Sequence, residues 1–301
     1  MTELDNTHVS THLGKTSAYI KQYTPSLLVR EPRQSNRKHL GISDETPPFV
    51  GSDVWNGYEV SCLLNNGTPV NATARVSYSA DNKFIVESKS MKLYWNSFNM
   101  TKLGDTTSQV YNEIQHRASN DLSILLETDV QVGIQSTIHT HYKNPDYFNN
   151  SFVNLDSNVD VIPCTIYNET PDLLVQGGYI IDDNPKVQQF WSSALKSNCR
   201  VTSQPDFGDV YIHYKGKYKI SQENLLQYIV SFRDECHFHE EICETIYKRL
   251  YDLFEPQELM VACLYTRRGG WDINPVRSTH RCLIPELFTD VNKLVVKTQR
   301  Q

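Results

Sequence analysis

Tyr94-Trp-Asn-Ser-Phe98 returns later in the chain as Tyr228-Ile-Val-Ser-Phe232, and this echo guides the reading of the fold. Each copy sits on the first expected helix of a similar run of elements. Ahead of the first copy, residues 58–64 and 72–79 are strand-like and flank Asn65-Asn-Gly67, a hairpin signal. Lys83-Phe-Ile-Val86 is a short β-rich run, and the following segment places apolar residues at 91, 94, 95 and 98, a helical spacing. A second helix is expected over 107–121, with strands at 123–126 and 130–134. Around the second copy, strands are expected at 161–166, 173–181, 200–202 and 210–214, helices at 222–232 and 239–254, and a strand at 259–265. The order hairpin, two helices, strand thus occurs twice. It suggests an α+β chain with an internal repeat of two similar halves. The expected divisions are an N-terminal arm over 1–50, a first unit over 51–142, an Asn/Asp-rich linker over 143–160 and a second unit over 161–301.

Composition narrows the class of function. The chain has 301 residues, 39% hydrophobic and 21% charged, which describes a globular protein able to bury a sizeable core. A net charge of -6 argues against a protein held to nucleic acid mainly through phosphates. No apolar run approaches the roughly 20 residues that span a bilayer. The opening residues Met1-Thr-Glu-Leu-Asp-Asn lack the basic and apolar stretches of a secretory signal. The seven cysteines are odd in number, scattered and without a Cys-x-x-Cys pair, so they are expected as reduced thiols in a cytoplasm.

Four stretches carry chemistry. In Ser197-Asn-Cys-Arg-Val-Thr-Ser-Gln-Pro-Asp206, a lone cysteine precedes an aspartate. A strand over 200–202 and a tight turn at Pro205-Asp206-Phe207-Gly208 would fold the carboxylate back toward the Cys199 sulfur. A thiol beside a proton-transfer group is a minimal unit of covalent catalysis, although a buried cysteine also packs as a small apolar residue. In Glu87-Ser-Lys-Ser-Met-Lys92, Lys89 and Lys92 share one helical face near a helix N-terminus, which suits a phosphate-bearing ligand or simply a solvated basic face. Glu87 sits at the strand-to-helix junction, where it can cap the helix or accept from an N–H edge of a heterocycle. Glu235-Cys-His-Phe-His-Glu-Glu-Ile-Cys243 contains possible zinc ligands in a spacing that matches no standard site. Arg267-Arg-Gly-Gly-Trp-Asp-Ile-Asn-Pro-Val-Arg277 offers guanidinium groups beside paired glycines, an anion grip or a structural loop.

Together these stretches resemble the QueF nitrile reductases, the 7-cyano-7-deazaguanine reductases of queuosine biosynthesis, in their long form. The resemblance rests on Glu87 to Tyr94, Ser197-Asn-Cys199 through Gln204-Pro-Asp206, Phe238-His-Glu240 and Arg267-Arg-Gly-Gly-x-Asp-Ile-Asn-Pro275, and runs from about Gly14 to the C-terminus. It implies the tunnelling fold, two tandem units of antiparallel sheet with paired helices, closing into barrels on oligomerisation, here as a homodimer. It implies reduction of 7-cyano-7-deazaguanine to 7-aminomethyl-7-deazaguanine with NADPH as co-substrate, no metal, and no direct contact with nucleic acid or membrane. By resemblance Cys199 is the nucleophile that forms a thioimide, Asp206 the general acid/base, and His239 a further catalytic group. Val86, Glu87, Ser88, Phe238, His239 and Glu240 correspond to base-binding residues. Ser88, Lys89, Lys92, Arg268 and Gly269 correspond to NADPH contacts.

Two alternatives remain at the level of sequence. One is a zinc-dependent pterin hydrolase or synthase of the same fold, with Cys199, His237 and His239 as ligands; metal content and activity in chelator discriminate it. The other is a non-catalytic purine-binding module, which would bind the base without oxidising NADPH.

Overall fold

The computed structural model describes residues 20, 22–136, 151–158 and 162–292. Its elements run β1 (Arg30–Pro32), α1 (Gln34–Leu40), β2 (Val50–Leu63), β3 (Pro69–Ser79), β4 (Phe84–Val86), α2 (Ser88–Asn96), α3 (Thr107–Leu126) and β5 (Val130–Ser136). They continue with β6 (Val153–Asn154), β7 (Ile180–Ile181), β8 (Gln188–Cys199), β9 (Pro205–Lys215), β10 (Tyr218–Lys219), α4 (Gln222–Val230), β11 (Cys236–His237), α5 (His239–Phe254), β12 (Glu258–Tyr265) and β13 (Trp271–Ser278).

One sheet organises the molecule, in the strand order β11-β8-β9-β12-β13-β2-β3-β5. Its long strands pair antiparallel; β11 joins the edge of β8 in parallel. The run β8-β9-β12 repeats the run β2-β3-β5, and β13 lies between the two, paired with β2 from Trp271↔Gly57 to Ser278↔Val50. The echoed motif does the same job twice. The Ser97 hydroxyl donates to the Tyr94 carbonyl at 2.6 Å and the Ser231 hydroxyl to the Tyr228 carbonyl at 2.7 Å. Tyr94 meets Phe98 edge-on at 5.4 Å, and Tyr228 meets Phe232 edge-on at 5.3 Å.

Alternation along the strands divides the core. On the helix-covered face, Trp55 and Ile273 pack under α2 and α3 with Met91, Tyr94 and Val110, while Ile212, Val261 and Cys263 pack under α4 and α5 with Leu225, Ile242 and Ile246. On the opposite face, Val54, Tyr211, Ala262 and Val276 pack against Leu287 and Phe288 from the C-terminal segment.

Several expectations are corrected. Residues 123–126 are the last turn of α3, because a Thr106–Gln109 capping box starts a helix that runs unbroken until Glu127 turns left-handed. Residues 162–166 and 173–179 form no strand; Pro171–Val175 is a 3-10 turn and only Ile180–Ile181 pairs, with β10. Two long strands escaped the sequence reading, β8 and β13. The polar residues of β8 hide it: Asp156 bonds Ser192 and Ser193 where β8 shifts register against β9. β13 is buried along its whole length yet carries Asp272, Asn274, Arg277 and Ser278 across both of its faces, so it lacks the apolar signature of a buried strand. Of the expected linker, 143–150 and 159–160 lie outside the described residues, and β6 pairs with β8. Of the expected arm, 1–19 and 21 lie outside them, while 34–40 form α1 with Arg37 fully buried.

Candidate active site

Cys199 ends β8, and the chain reverses over 200–204 before β9 begins at Pro205. The Cys199 N–H donates to the Gln204 carbonyl at 2.8 Å, the Ser203 N–H to the Cys199 carbonyl at 2.9 Å, and Ser203 takes a left-handed φ of 54°. Turn and strand therefore exchange the places expected for them: 200–202 turn, and 205–208 are extended. Pro205 is tolerated because the first residue of a strand need not donate to the ladder. The register sets Asp206 opposite Ser197, two residues from the thiol. Burial pushes the Cys199 thiol up, but hydrogen bonds from the Thr202 hydroxyl and the Val201 and Thr202 N–H groups outweigh it and hold the pKa below its usual value. Thr202 had no recognised role in the sequence, since its contact with the sulfur exists only in this turn.

Asp206 is 6% exposed. One oxygen lies 3.2 Å from Arg268 Nη1 and 3.6 Å from His239 Nε2. Burial alone would raise its pKa; His239, Arg268 and Lys92 together bring it below the ordinary carboxylate range. His239 is itself held edge-on against the Tyr265 ring at 4.1 Å.

The start of α5 reaches this point because β11 pairs with the end of β8, His237 opposite Cys199. Glu241 accepts from the Phe238 N–H at 3.1 Å, pairs with Arg200 at 3.0 Å and receives His237 Nδ1 at 3.2 Å. His237 Nε2 lies 3.2 Å from Glu235, so this ring bridges two carboxylates, which raises its pKa to about 9 against the opposing effect of burial. The Arg200 guanidinium sits over the Phe238 ring at 5.6 Å. Glu240 is 2% exposed, and its Oε1 has no hydrogen-bond partner.

From the first half, β4 delivers buried Val86, and Glu87 caps α2 by accepting from the Lys89 N–H at 2.9 Å and the Ser90 N–H at 2.7 Å. Each oxygen keeps a further acceptor lone pair. Ser88 and Lys89 lie half-buried in the first turn of the helix. Lys92, lowered in pKa by burial and by Arg268, feels the charges of Glu87, Asp206 and Cys199. Its stem sits 3.3 Å from where a Cβ on Gly269 would lie; Gly269 has a φ of 60° in the β12–β13 turn. The four sequence stretches thus meet at one place: the thiol turn, the start of α5, the start of α2 and the Arg268-Gly269 turn. Among the described residues no group of three or more His, Cys, Asp or Glu could hold a metal ion.

Residues 19–134 match the family described as nitrile reductase, 7-cyano-7-deazaguanine-reductase N-term, and residues 205–282 match that of QueF-like proteins. The NADPH-dependent 7-cyano-7-deazaguanine reductase of Acidovorax ebreus is 40% identical over 285 residues, covering 93% of this chain and 97% of its own. The chain belongs to the 7-cyano-7-deazaguanine reductase family. Reductases of the same name from Hahella chejuensis and Legionella pneumophila (strain Corby) are 40% and 38% identical, each across 90% of this chain. The two family matches fall on either side of the thiol: the first spans β1 to most of β5, and the second begins at Pro205 and takes in Asp206, α5 and the Arg268 turn.

Proposed function

We propose that this chain reduces the nitrile of 7-cyano-7-deazaguanine to the aminomethyl group with NADPH, through a thioimide on Cys199. The observation that carries the reading is the lowered Cys199 thiol beside the Asp206–His239–Arg268 cluster, at the meeting point of α2 and α5. A nitrile is a poor hydride acceptor, and a protonated thioimide a good one, so covalent addition divides a hard step into easier ones. The Cys199 sulfur forms a bond to the nitrile carbon. Asp206, ionised at rest, takes the thiol proton and passes it to the nitrile nitrogen, so the addition loses no atoms. His239 and Arg268 hold the Asp206 carboxylate in position while that proton moves.

Phe238 stacks on the deazapurine, Val86 and Ser88 line the base, and Glu87 and Glu240 accept from its N–H groups from opposite halves of the chain. Lys89, Lys92, Arg268, Gly269 and Ser88 bind NADPH; a cation such as Lys92, which makes no hydrogen bond or ion pair among the described residues, fits an anionic co-substrate. When bound, NADPH supplies the hydrides that take the carbon from nitrile to amine. The fold supporting this is the tunnelling fold, with units over 51–142 and 161–301 joined through 143–160, acting as a homodimer in the cytoplasm without direct contact to nucleic acid. Among the described residues no helix is long and apolar enough to cross a membrane.

The test is NADPH absorbance with the nitrile as substrate. Two NADPH should be oxidised per amine formed with no aldehyde released; a one-to-one ratio, or no oxidation, overturns the reading.

A further inference from the structure

Behind the start of α5 lies a cage of buried charge. Asp53 on β2 pairs with Arg33 and, at 2.9 Å, with Arg277 on β13. Glu244 on α5 pairs with Arg37 at 2.8 Å, Arg277 at 3.0 Å and Arg33 at 3.5 Å. Arg37 also reaches the partly exposed Asp44 at 3.2 Å. The three guanidinium groups are thus matched by Asp53, Glu244 and Asp44. Glu240, one helical turn before Glu244, is the surplus acid. It is 2% exposed with a bare Oε1, and Asp53 opposes its ionisation while the committed Arg33 and Arg277 favour it less. The other ionisable groups facing it are the phenols of Tyr78 on β3 and Tyr265 on β12; His239 and Glu241 adjoin it on α5.

Its own backbone N–H favours the ionised form, but a buried carboxylate left with one bare oxygen is costly, and protonation is the usual escape. Burial and the Asp53 charge push the Glu240 carboxyl up to about 8. Paired N–H donors on a ligand reverse that balance, because they supply what the cage withholds.

We propose that Glu240 is protonated in the ligand-free enzyme and releases its proton to solvent when a base with paired N–H donors binds. This rests on the reading of Glu240 as a base contact. Base binding then tightens with rising pH, about tenfold per unit while Glu240 is still protonated in the free protein.

The experiment is calorimetric titration of full-length Cys199→Ala protein, which cannot form the thioimide, with 7-cyano-7-deazaguanine at pH 7. Running it in phosphate and in Tris, which differ in ionisation enthalpy, counts the protons exchanged. About one proton should be released per base bound, and Cys199→Ala/Glu240→Gln should bind more weakly and release none. Binding with no net proton change, or release that persists in the Glu240→Gln protein, overturns the proposal and leaves the base-binding reading intact. No binding of the base to Cys199→Ala protein overturns both.

Discussion

At the scale of single residues, the proposed site rests on a thiol whose pKa is lowered by three local hydrogen bonds and on a carboxylate whose pKa is lowered by its neighbours. The division of labour between them is open to direct measurement. Wild-type protein mixed with the nitrile in the absence of NADPH should gain the full mass of the substrate. Cys199→Ala should gain nothing yet still bind the base. Asp206→Asn keeps the shape and removes the base, so adduct formation should slow by about 100-fold or more, the usual range for general acid–base catalysis. An adduct mapping to Cys236, which is exposed, or to Cys243 would show the wrong nucleophile. The identities of these residues were legible in the sequence as motifs. The support of the sulfur by Thr202 was not, because it depends on a left-handed Ser203 that no composition rule locates.

At the scale of elements, two helix starts and two hairpin turns converge. Cofactor and base should separate along these elements. Lys89→Ala on α2 should raise the NADPH Michaelis constant by roughly 10- to 100-fold, equivalent to about 1–3 kcal/mol for a lost charged partner, with base affinity unchanged. Weaker base binding with normal NADPH kinetics would reverse the assignment.

The link from β11 to α5 has a pH signature of its own. His237 between Glu235 and Glu241 has a folded pKa of about 9, above its unfolded value of 6.5. Its contribution is therefore complete below pH 6.5 and lost as pH rises through 9, on the order of 1–3 kcal/mol. Glu240 acts in the same sense at lower pH: an unfolded chain ionises it near 4.5 and the folded chain near 8, so stability falls between those values. Urea unfolding of His237→Gln should accordingly show little loss between pH 8 and 9, where the wild type still declines. Parallel pH curves for the two proteins would refute the bridge. The helices α2, α4 and α5 were legible from period and capping, whereas β8 and β13 were not. Their polar residues face partners from distant parts of the chain, so neither shows a local apolar pattern.

At the scale of the whole molecule, the seam between β13 and β2 joins the halves, and the cage of Arg33, Arg37, Arg277, Asp53 and Glu244 ties the N-terminal arm to it. Removing one partner of a buried pair typically costs 3–5 kcal/mol because the other charge is left unmatched. Arg37→Ala should therefore destabilise the protein by about 3–5 kcal/mol in denaturant unfolding; a loss under about 1 kcal/mol would mean the arm is not held by this cage.

The sequence by itself determined the helix pair of each half, the helix starts and the residue types of the site, since periodicity, capping and turn chemistry act between residues close in the chain. Only the tertiary structure decided that 200–204 turns and 205–208 extends, that β13 closes the seam, and that Glu240 lies among charges already matched to others. Those outcomes follow from strand register and burial, which are set by partners as far apart as Arg37 and Glu244.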